Sequence, residues 1–313
     1  MLCNKVTTTV WFSKLIDAGT DVNIIDSYGQ TAWLYALRQS NNKSVVCAMI
    51  DAGADVNVSD NYGFDRTALI YAVGQSNNES VVHALIDAGA DVNRTGCQGS
   101  TALFYAVQRS NNESVVHALI DAGADVNITD DYGRTALFVA VQQSSDESVV
   151  CALIDAGANV NITTNHGRTA LSYAVQRSNN ESVVRALIDA GADVNKTYGD
   201  GQTALFYAVQ QSNNESVVRS LIDAGADVNK TYGDGQTALF YAVQQSNNKI
   251  VVRVLIDAGA DVNISDNYGY DHTALFYAVR QSNNESVVRE LINAGGAFVN
   301  FRDVFGRTPL FYA

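Results

Sequence analysis

The side chains best suited to metal binding are few and scattered in this sequence. The histidines are His83, His117, His166 and His272. His83 and His117 stand at equivalent places in two successive segments and could lie side by side. However, no nearby cysteine or carboxylate completes the tetrahedral set of ligands that zinc prefers. We therefore expect the histidines to be ordinary surface residues, and we predict no metal site.

Motifs for nucleophilic catalysis and for phosphate binding are also lacking. The sequence contains no Gly-x-Gly-x-x-Gly, no Gly-Lys-Ser/Thr and no Gly-x-Ser-x-Gly segment. The acidic loops 59–65 and 265–271 offer oxygen ligands, but not at the spacing of a calcium-binding loop. Because no acid, base or nucleophile stands in a constellation, the sequence predicts that the protein is not an enzyme and needs no cofactor.

The cysteines indicate a reducing compartment. Cys3, Cys47, Cys97 and Cys151 lie far apart and form no Cys-x-x-Cys pair. No run of about 18 apolar residues marks a membrane span, and the first residues lack the apolar run of a signal peptide. We therefore expect a cytoplasmic, intracellular protein. Delivery into a host cell is an alternative if the source is a parasite or a virus.

The acidic composition narrows the class of partner. Over 313 residues the formal net charge is −13 at pH 7, and 47% of the residues are apolar. Nucleic-acid phosphates and anionic membrane surfaces repel an acidic chain, which argues against both as main partners. The apolar fraction suffices for a continuous core, so we expect the charge mainly to keep a folded monomer in solution.

The elements that must position these residues repeat along the whole chain. A Thr-Ala-Leu or Thr-Ala-Trp motif recurs at nearly constant spacing, and Thr-Pro-Leu follows at 308. The threonine of the motif stands at positions 31, 67, 101, 135, 169, 203, 237 and 273. Residues 187–214 and 221–248 are identical, which indicates a recent internal duplication. With no linker and no change of composition, the sequence predicts a single array of repeats.

One repeat, residues 196–229, shows the predicted elements. Apolar residues over 204–209 and over 217–222 recur at helical spacing and predict two short helices. Gly225 fits the C-cap of the second helix, because glycine enters the left-handed conformation without steric cost. Helices this short cannot bury their apolar faces alone, so each repeat must stack on the next in a solenoid.

The start of the second helix carries a capping signal. Ser212 and Glu215 fit a capping box, in which each side chain bonds the backbone N–H of the other residue. Lys43 and Lys249 take the place of the glutamate in two other repeats. We expect these two helix starts to be weaker by about 0.5–1 kcal/mol.

Two recurring segments resemble the ankyrin repeat: Gly-Ala-Asp-Val-Asn after the second helix and Thr-(Pro/Ala)-Leu-x-x-Ala at the first. The resemblance covers essentially all 313 residues. The tetratricopeptide repeat has a similar period, but its Trp and Leu-Gly signature is absent. The resemblance implies an all-α repeat solenoid of stacked helix-turn-helix units, joined by β-turn or hairpin loops. We expect about nine units, including incomplete ones at both ends.

The expected unit boundaries follow the loops. They give a partial unit at 1–23, units at roughly 24–57, 58–93, 94–127, 128–161, 162–195, 196–229, 230–263 and 264–300, and a partial unit at 301–313. Arrays of this kind usually end in polar capping repeats, so the incomplete ends indicate a fragment of a longer protein.

One position departs from the pattern of the family. The resemblance implies a histidine after Thr-Pro-Leu that forms a hydrogen bond with the threonine. In this sequence that position holds Leu34, Ile70, Phe104, Phe138, Ser172, Phe206, Phe240, Phe276 and Phe311. We expect aromatic packing to replace most of this polar contact between repeats.

The resemblance also implies a non-enzymatic scaffold for protein–protein interaction, with a concave groove formed by loop tips and first helices. The candidate partner-binding residues are Tyr28, Tyr62, Phe64, Tyr132, His166, Tyr198, Tyr232, Tyr268 and Tyr270 at the loop tips, and Arg109, Gln143, Arg177 and Gln211 at the ends of the first helices. Exposed tyrosines offer a large contact area at small entropic cost. Two alternatives stay open: the rings only pack on neighbouring loops, or the array is a structural spacer or elastic segment of a longer multidomain protein.

One modification is implied by the resemblance alone. Ankyrin repeats resemble substrates of asparaginyl hydroxylase, which acts on the last residue of Leu-Ile-Asp-Ala-Gly-Ala-Asp-Val-Asn. The matching positions are Asn57, Asn93, Asn127, Asn195, Asn229 and Asn263. Met49 replaces the leucine in the segment that ends at Asn57.

Overall fold

The computed structural model describes most of the chain. It covers residues 14–39, 43–60, 64–75, 79–109, 113–143, 147–177, 180–199, 201–211, 214–244, 249–281, 284–293 and 296–313. Cys3, Tyr62 and Ser212, which the sequence analysis singled out, lie outside these residues. The chain divides into two compact bodies, Met1–Asn159 and Val160–Ala313.

Helices alternate with loops in both bodies. The N-terminal body contains α1 (Ala32–Gln39), α2 (Lys43–Asp51), α3 (Ala68–Gln75), α4 (Glu79–Asp87), α5 (Ala102–Gln108), α6 (Glu113–Asp121), α7 (Ala136–Gln142) and α8 (Glu147–Asp155). The C-terminal body contains α9 (Ala170–Arg177), α10 (Glu181–Asp189), α11 (Ala204–Gln211), α12 (Glu215–Asp223), α13 (Ala238–Gln244), α14 (Lys249–Asp257), α15 (Ala274–Val279) and α16 (Glu285–Asn293). Single 3-10 turns lie at Cys97–Gly99 and Pro309–Tyr312. Among the described residues, no helix has the length and the apolar character needed to cross a membrane.

Within each body, helices stack in two rows. The odd-numbered helices are the first helices of the repeats, and α1 contacts α3, α3 contacts α5, and α5 contacts α7. The even-numbered second helices form the other row, from α2 to α8. The two helices of one repeat, such as α5 and α6, also pack against each other, and α9 to α16 repeat the arrangement in the C-terminal body. The predicted all-α repeat solenoid is therefore confirmed.

Each first helix begins after the repeated threonine. Thr135 has an extended backbone, and its Oγ1 accepts the backbone N–H of Phe138 at 3.3 Å. Thr203 binds the N–H of Phe206 in the same way, at 3.4 Å. The bond satisfies one of the N–H groups that have no partner inside the helix. The same bond forms at Thr31, Thr67 and Thr169, whereas Thr101 and Thr273 stand at the helix start without it.

The position of the missing histidine is filled mostly by packing. The apolar residues there are at most 5% exposed, namely Leu34, Ile70, Phe104, Phe138, Phe206, Phe240 and Phe276. Phe311, in contrast, is exposed. Ser172 retains a polar contact: its N–H donates to Oγ1 of Thr169 at 3.2 Å, and its Oγ accepts the N–H of Thr169 at 3.1 Å.

The second helices begin differently from the prediction. Helix α12 begins at Glu215, with Asn214 as its N-cap. The side-chain oxygen of Asn214 accepts the N–H of Ser216 at 3.2 Å. A capping box requires the glutamate at the third helical position, whereas here it is the first, so the predicted box is wrong for this helix. Asparagine is itself a strong N-cap, and the residue next to the helix therefore fulfils that role.

The second helices end as predicted. Gly225 has a φ of +86° and follows Ala224, the C-cap of α12. Its N–H donates to the carbonyl of Ile222 at 2.9 Å, and the N–H of Ala226 donates to the carbonyl of Leu221 at 3.0 Å. These bonds satisfy carbonyls that have no partner within the helix. Isolated antiparallel bridges, such as Tyr198–Gln202, then close the loop that leads to the next repeat.

The core of each body lies between the two rows of helices. In the repeat built from α11 and α12, Leu205, Ala208, Val218 and Leu221 are at most 1% exposed. Burying one leucine side chain contributes roughly 1.5–3 kcal/mol. Since the neighbouring repeats provide much of this burial, a pair of short helices depends on them for most of its stability. The polar loops are left to present side chains to the solvent.

Candidate functional site

Several loop tips carry exposed aromatic side chains. Tyr28 is 57% exposed, Tyr132 51%, Tyr268 54% and Phe305 60%. A carboxylate shapes the turn that carries the ring, since Oδ1 of Asp130 accepts the backbone N–H of Tyr132 at 2.9 Å. Short polar side chains that bind the backbone two residues later are typical of tight turns. The ring is therefore presented outward by an ordered backbone.

Arg134 connects one of these tips to the body of its repeat. Its Nη2 lies 2.6 Å from Oδ2 of Asp130, and its Nη1 donates to Oε1 of Gln142 at 3.4 Å. Its Cζ lies 5.1 Å from the centre of the Tyr132 ring. A guanidinium at this distance attracts the face of an aromatic ring. The contact orients Tyr132 and leaves half of its surface accessible.

Two of the predicted tip residues point inward. The ring of Tyr198 stacks on Tyr207, with centroids 5.1 Å apart and 8° between the planes. The ring of Tyr232 lies 4.1 Å from that of Phe206, and its hydroxyl donates to Oε1 of Gln236 at 3.0 Å. Burial raises the pKa of both hydroxyls. These two rings follow the packing alternative, and their contact with a partner remains a prediction.

Two loops are longer by two residues than most of the others and share one backbone conformation. Their additional residues include Phe64 and Asp65 in one loop and Tyr270 and Asp271 in the other. Asp65 and Asp271 have φ values of +42° and +55°, a region that is costly for residues other than glycine. Phe64 and Tyr270 are exposed at these loops. The same strained turn thus presents an aromatic ring twice in the chain.

A buried carboxylate lies beneath each longer loop. The hydroxyl of Tyr71 donates to Oδ2 of Asp60, and that of Tyr277 donates to Oδ2 of Asp266. Both aspartates are fully buried. Burial, and then the hydrogen bond to Asp60, raise the pKa of Tyr71 to about 12. The hydroxyl therefore stays protonated near neutral pH and anchors the long loop to its first helix.

A cavity opens beside each longer loop. The cavity in the N-terminal body has a volume of about 250 Å³, and the residues around it include Arg66, Tyr71, Gly74, Tyr105 and Arg109. The cavity in the C-terminal body has a volume of about 460 Å³, and the residues around it include Tyr270, His272, Tyr277, Arg280 and Tyr312. Counted from the repeated threonine, Tyr71 matches Tyr277 and Tyr105 matches Tyr312. The two cavities therefore occupy the same place in the repeat.

His272 contradicts the expectation that the histidines lie on the surface. It is 5% exposed, and its ring stacks on that of Phe276 with centroids 4.6 Å apart. Its Nε2 lies 3.6 Å from Oδ2 of Asp303 and has no hydrogen-bond partner among the described residues. The expectation failed because an imidazole ring with two apolar faces fits a stack of aromatic side chains. The other histidines are exposed as expected, namely His83, His117 and His166.

The predicted residues at the ends of the first helices are accessible where their side chains are described. Arg109, Gln143 and Arg177 are exposed. Gln211 is the last residue of α11, and its side chain lies outside the described part of the chain. Of these residues, Arg109 borders the cavity in the N-terminal body. In the described segments, no group of three or more His, Cys, Asp or Glu side chains is arranged to hold a metal ion.

The predicted hydroxylation sites connect successive loops. Oδ1 of Asn57 accepts the N–H of Asp91 at 2.7 Å, and its Nδ2 donates to the carbonyl of Gly89 at 3.1 Å. The same pair of bonds extends to the following loop from Asn93, Asn127, Asn195, Asn229 and Asn263. Asn23 and Asn161, which the resemblance did not include, form it as well. Each of these amides is therefore held at both its oxygen and its nitrogen.

The sequence analysis missed the cluster around Arg66. Tyr71 and Gly74 lie on α3 and border the cavity together with Arg66. A signal for Gly74 was present, because the other repeats carry glutamine or arginine at this helical position. The contact between Tyr71 and Asp60 had no sequence signal, since it depends on the path of the longer loop.

Comparison with known proteins places the repeats in a family. The family model described as ankyrin repeats (3 copies) matches residues 39–130, 69–164, 103–198, 171–266 and 252–313. No curated protein matches the sequence. Among solved structures, the chain is similar to the ankyrin repeat domain of Bcl-3, described as a unique member of the IkappaB protein family. The sequence identity is 30%, the TM-score is 0.63, and the match covers 73% of this chain and 99% of that one.

Proposed function

The chain belongs to the ankyrin repeat family of protein-interaction modules, and we propose that it binds another protein through a groove formed by its loop tips and first helices. Members of this family are typically interaction domains and not enzymes. The proposal includes a monomeric state and a cytoplasmic location, with neither nucleic acid nor membrane as ligand.

The observation that carries the proposal is the set of exposed aromatic rings on ordered turns. Tyr28 and Tyr132 leave about half of their surface accessible, although the backbone N–H of each is bound by an aspartate, Asp26 and Asp130. A rigid turn that presents tyrosine lowers the entropic cost of binding, and tyrosine is enriched among the residues that dominate interfaces. Loops on a rigid scaffold are also the usual place for binding residues.

The test is partner capture with the tip residues removed. The full chain, immobilised, is exposed to lysate of the native cell, and bound proteins are quantified by mass spectrometry. We expect the double variant Tyr28→Ala/Tyr132→Ala to retain its helical circular dichroism and to capture at least about tenfold less of the main partner, since two interface tyrosines together contribute more than 1.4 kcal/mol.

Ile250→Ala is the matched control for this experiment. Ile250 is as exposed as the tip tyrosines but lies on the second helix α14. The control variant should capture the partner like the unaltered chain. Equal capture by the double variant would contradict the proposed role of the tips. Capture of no specific protein at all would favour the spacer alternative, which the identity of residues 187–214 and 221–248 supports.

We also propose that an asparaginyl hydroxylase acts on Asn57, Asn93, Asn127, Asn195, Asn229 and Asn263. Both ends of each amide are engaged with the next loop, so the enzyme must act on a locally opened turn. Peptides from the protein purified from its native cell should show the mass of one added oxygen at these residues. Unmodified peptides at all six positions would contradict this proposal.

A further inference from the structure

Gly74 is an anomaly in the last turn of a helix. It is the second-last residue of α3, and a Cβ atom placed on it would meet nothing within 4 Å. Glycine in a helical conformation is less favourable than alanine, and here no close approach of another chain segment requires it. The equivalent position of the other first helices is always a long side chain: Arg38, Gln108, Gln142, Gln176, Gln210, Gln244 and Arg280. Because no packing contact explains this loss of helix stability, the glycine indicates a functional role at this position.

The glutamine at this position has a defined partner in two repeats. Oε1 of Gln142 accepts a hydrogen bond from Nη1 of Arg134 at 3.4 Å, and Oε1 of Gln176 accepts one from Nη1 of Arg168 at 3.2 Å. In both repeats the arginine stands eight residues before the glutamine. Arg66 stands eight residues before Gly74. Arg66 is therefore the matching arginine, and the residue at position 74 offers it no side-chain amide.

Among the described residues, no carboxylate binds the guanidinium of Arg66 as Asp130 binds that of Arg134. Asp60 matches Asp130, because each accepts the backbone N–H of its arginine through Oδ1. Oδ2 of Asp130 binds the guanidinium of Arg134, whereas Oδ2 of Asp60 accepts the hydroxyl of Tyr71. Nε of Arg66 is buried and has no hydrogen-bond partner among the described residues. A buried guanidinium donor without an acceptor is costly, and a bound ligand would remove that cost.

A cavity lies beside Gly74, at the position where the other first helices carry a long side chain. Its volume of about 250 Å³ is below the range of roughly 300–1,000 Å³ that is typical of small-molecule sites, so it suits a single side chain. The guanidinium of Arg66 lies among three aromatic rings, with Cζ 5.0 Å from the ring centre of Phe64, 5.7 Å from that of Tyr71 and 5.6 Å from that of Tyr105. The exposed Arg109 borders the cavity as well. Two arginines therefore border one small cavity.

We propose that this cavity, the Arg66 pocket, binds the carboxylate of an aspartate or glutamate side chain from the partner protein. The carboxylate takes the place of the glutamine oxygen that Arg134 and Arg168 each receive from their own repeat. The proposal rests on the proposed function and specifies what part of the partner enters the groove at this repeat. It assigns binding roles to Arg66, Arg109 and Gly74.

The donors of the pocket favour this ligand over others. A planar carboxylate matches the fork of a guanidinium, and such charge-assisted hydrogen bonds are stronger than neutral ones. A lysine or arginine side chain is repelled by the two guanidiniums, even though tyrosine rings surround the space. A neutral amide could occupy the volume but would bring no charge to Arg109. In a chain of net charge −13, a local pair of arginines thus selects an acidic residue.

The direct test observes the unpartnered donor. The Nε–H signals of the arginines in the full chain are recorded by ¹H–¹⁵N NMR, and the signal of Arg66 is identified by its loss in Arg66→Lys. The probes are the peptides acetyl-Gly-Glu-Gly-amide, its glutamine analogue and its phosphoserine analogue. We expect the glutamate peptide to shift the Arg66 signal saturably and to bind at least about tenfold more tightly than the glutamine peptide.

Substitutions at Gly74 and at two arginines complete the test. Gly74→Gln adds the side chain that the other repeats carry, and we expect it to weaken binding of the glutamate peptide at least about tenfold while raising the melting temperature. Gly74→Ala adds only a methyl group and should weaken binding less than Gly74→Gln does. Arg109→Ala should weaken binding, whereas Arg185→Ala, which removes an exposed arginine of the C-terminal body, should leave the titration of Arg66 unchanged.

Each contrary result has a distinct meaning. Equal binding of the glutamate and glutamine peptides, or undiminished binding by Gly74→Gln, overturns the proposal. Tighter binding of the phosphoserine peptide than of the glutamate peptide overturns the carboxylate in favour of a phosphoryl group. If Gly74→Gln loses the peptide but keeps the full partner, the pocket is not part of the partner site, and the scaffold function stands. If only the capture test with the tip tyrosines fails, the pocket stands without them.

Discussion

The side-chain oxygen of Asn93 accepts the backbone N–H of Asp125, in the next repeat, at 2.7 Å. Its Nδ2 donates to the carbonyl of Gly123 at 3.1 Å, so one amide holds both a donor and an acceptor of the following turn. The turn in which Asn93 itself lies is fixed by Asp91, whose Oδ1 accepts its N–H. The conformation of the following turn and the contact between the two repeats therefore depend on the same side chain.

Removal of this amide should loosen two repeats at once. We expect Asn93→Ala to lower the free energy of unfolding by about 1–2 kcal/mol, since two hydrogen bonds of about 0.5–1.5 kcal/mol each are lost in a partly solvated setting. Urea titration followed by circular dichroism measures the change. Asn93→Asp is the control, because it retains the acceptor for Asp125 and should lose less. A variant as stable as the unaltered chain would contradict the role of the amide.

The two classes of loop tyrosine should differ in their contribution to stability. Tyr198→Ala removes a ring that stacks on Tyr207, and we expect it to lower the free energy of unfolding by about 2–3 kcal/mol. Tyr132→Ala removes an exposed ring and should change it by no more than about 0.5 kcal/mol. The same urea titration measures both. Equal losses in the two variants would argue against the division into inward and outward rings.

The two lysines at helix starts should respond differently to charge reversal. Lys43→Glu places a negative charge at the start of α2, and we expect a gain of about 0.3–1 kcal/mol. Lys249 lies 3.3 Å from Glu290, a residue of α16. Lys249→Glu gains the same favourable interaction with the helix N-terminus, but it loses this ion pair and places two carboxylates side by side. We expect little or no net gain there. Thermal unfolding of both variants checks this, and equal gains would show that the Glu290 contact contributes nothing.

The anchor beneath the first long loop predicts a dependence on alkaline pH. The pKa of Tyr71 is raised from 10.0 to about 12, first by burial and then by its hydrogen bond to Asp60. A group whose pKa is raised on folding contributes stability that is complete below the unfolded value and is lost as pH rises through the folded value. The advantage of the unaltered chain over Tyr71→Phe should therefore be constant up to about pH 10 and shrink towards pH 12. Urea titrations of both proteins across this range measure the difference. An advantage that does not change with pH would contradict the raised pKa.

The helices could be predicted from the sequence because they depend on short-range patterns. The apolar residues over 204–209 predicted the first helix, which the structure places at Ala204–Gln211. The second helix and Gly225 followed from the same kind of local rule. The cap of α12 was missed because Ser212 and Asn214 are both acceptable caps, and only the first helical turn decides between them.

The direction of the loop aromatics could have been partly inferred. Tyr132 stands three residues before Thr135, whereas Tyr198 stands five residues before Thr203. The two tyrosines therefore occupy different places in the turn, although both were grouped as tip residues. The inward path of Tyr198 follows from this offset, but its contact with Tyr207 depends on helix packing that no spacing rule supplies.

The Arg66 pocket could not be predicted from one repeat alone. The pocket is recognised only by comparison with the pairs Arg134–Gln142 and Arg168–Gln176. In each pair, an arginine just before the first helix forms a hydrogen bond with a glutamine eight residues later, near the end of that helix. The sequence shows Gly74 as an odd residue in a column of glutamines and arginines. Only the contacts of Gln142 and Gln176 show that Gly74 provides no hydrogen-bond acceptor for Arg66.

The regular offset of the asparagine bonds has a consequence for the gene. The bond from Asn195 to Asp227 spans 32 positions, and the bond from Asn229 to Asp261 spans the same number. Because residues 187–214 and 221–248 are identical, excision of 196–229 would join Asn195 to Lys230 and restore the same local sequence and the same bond to Asp261. Recombination between such stretches can thus change the copy number of repeats in frame while every remaining turn keeps an equivalent neighbour. The number of repeats can therefore change during evolution without requiring a new kind of contact between repeats.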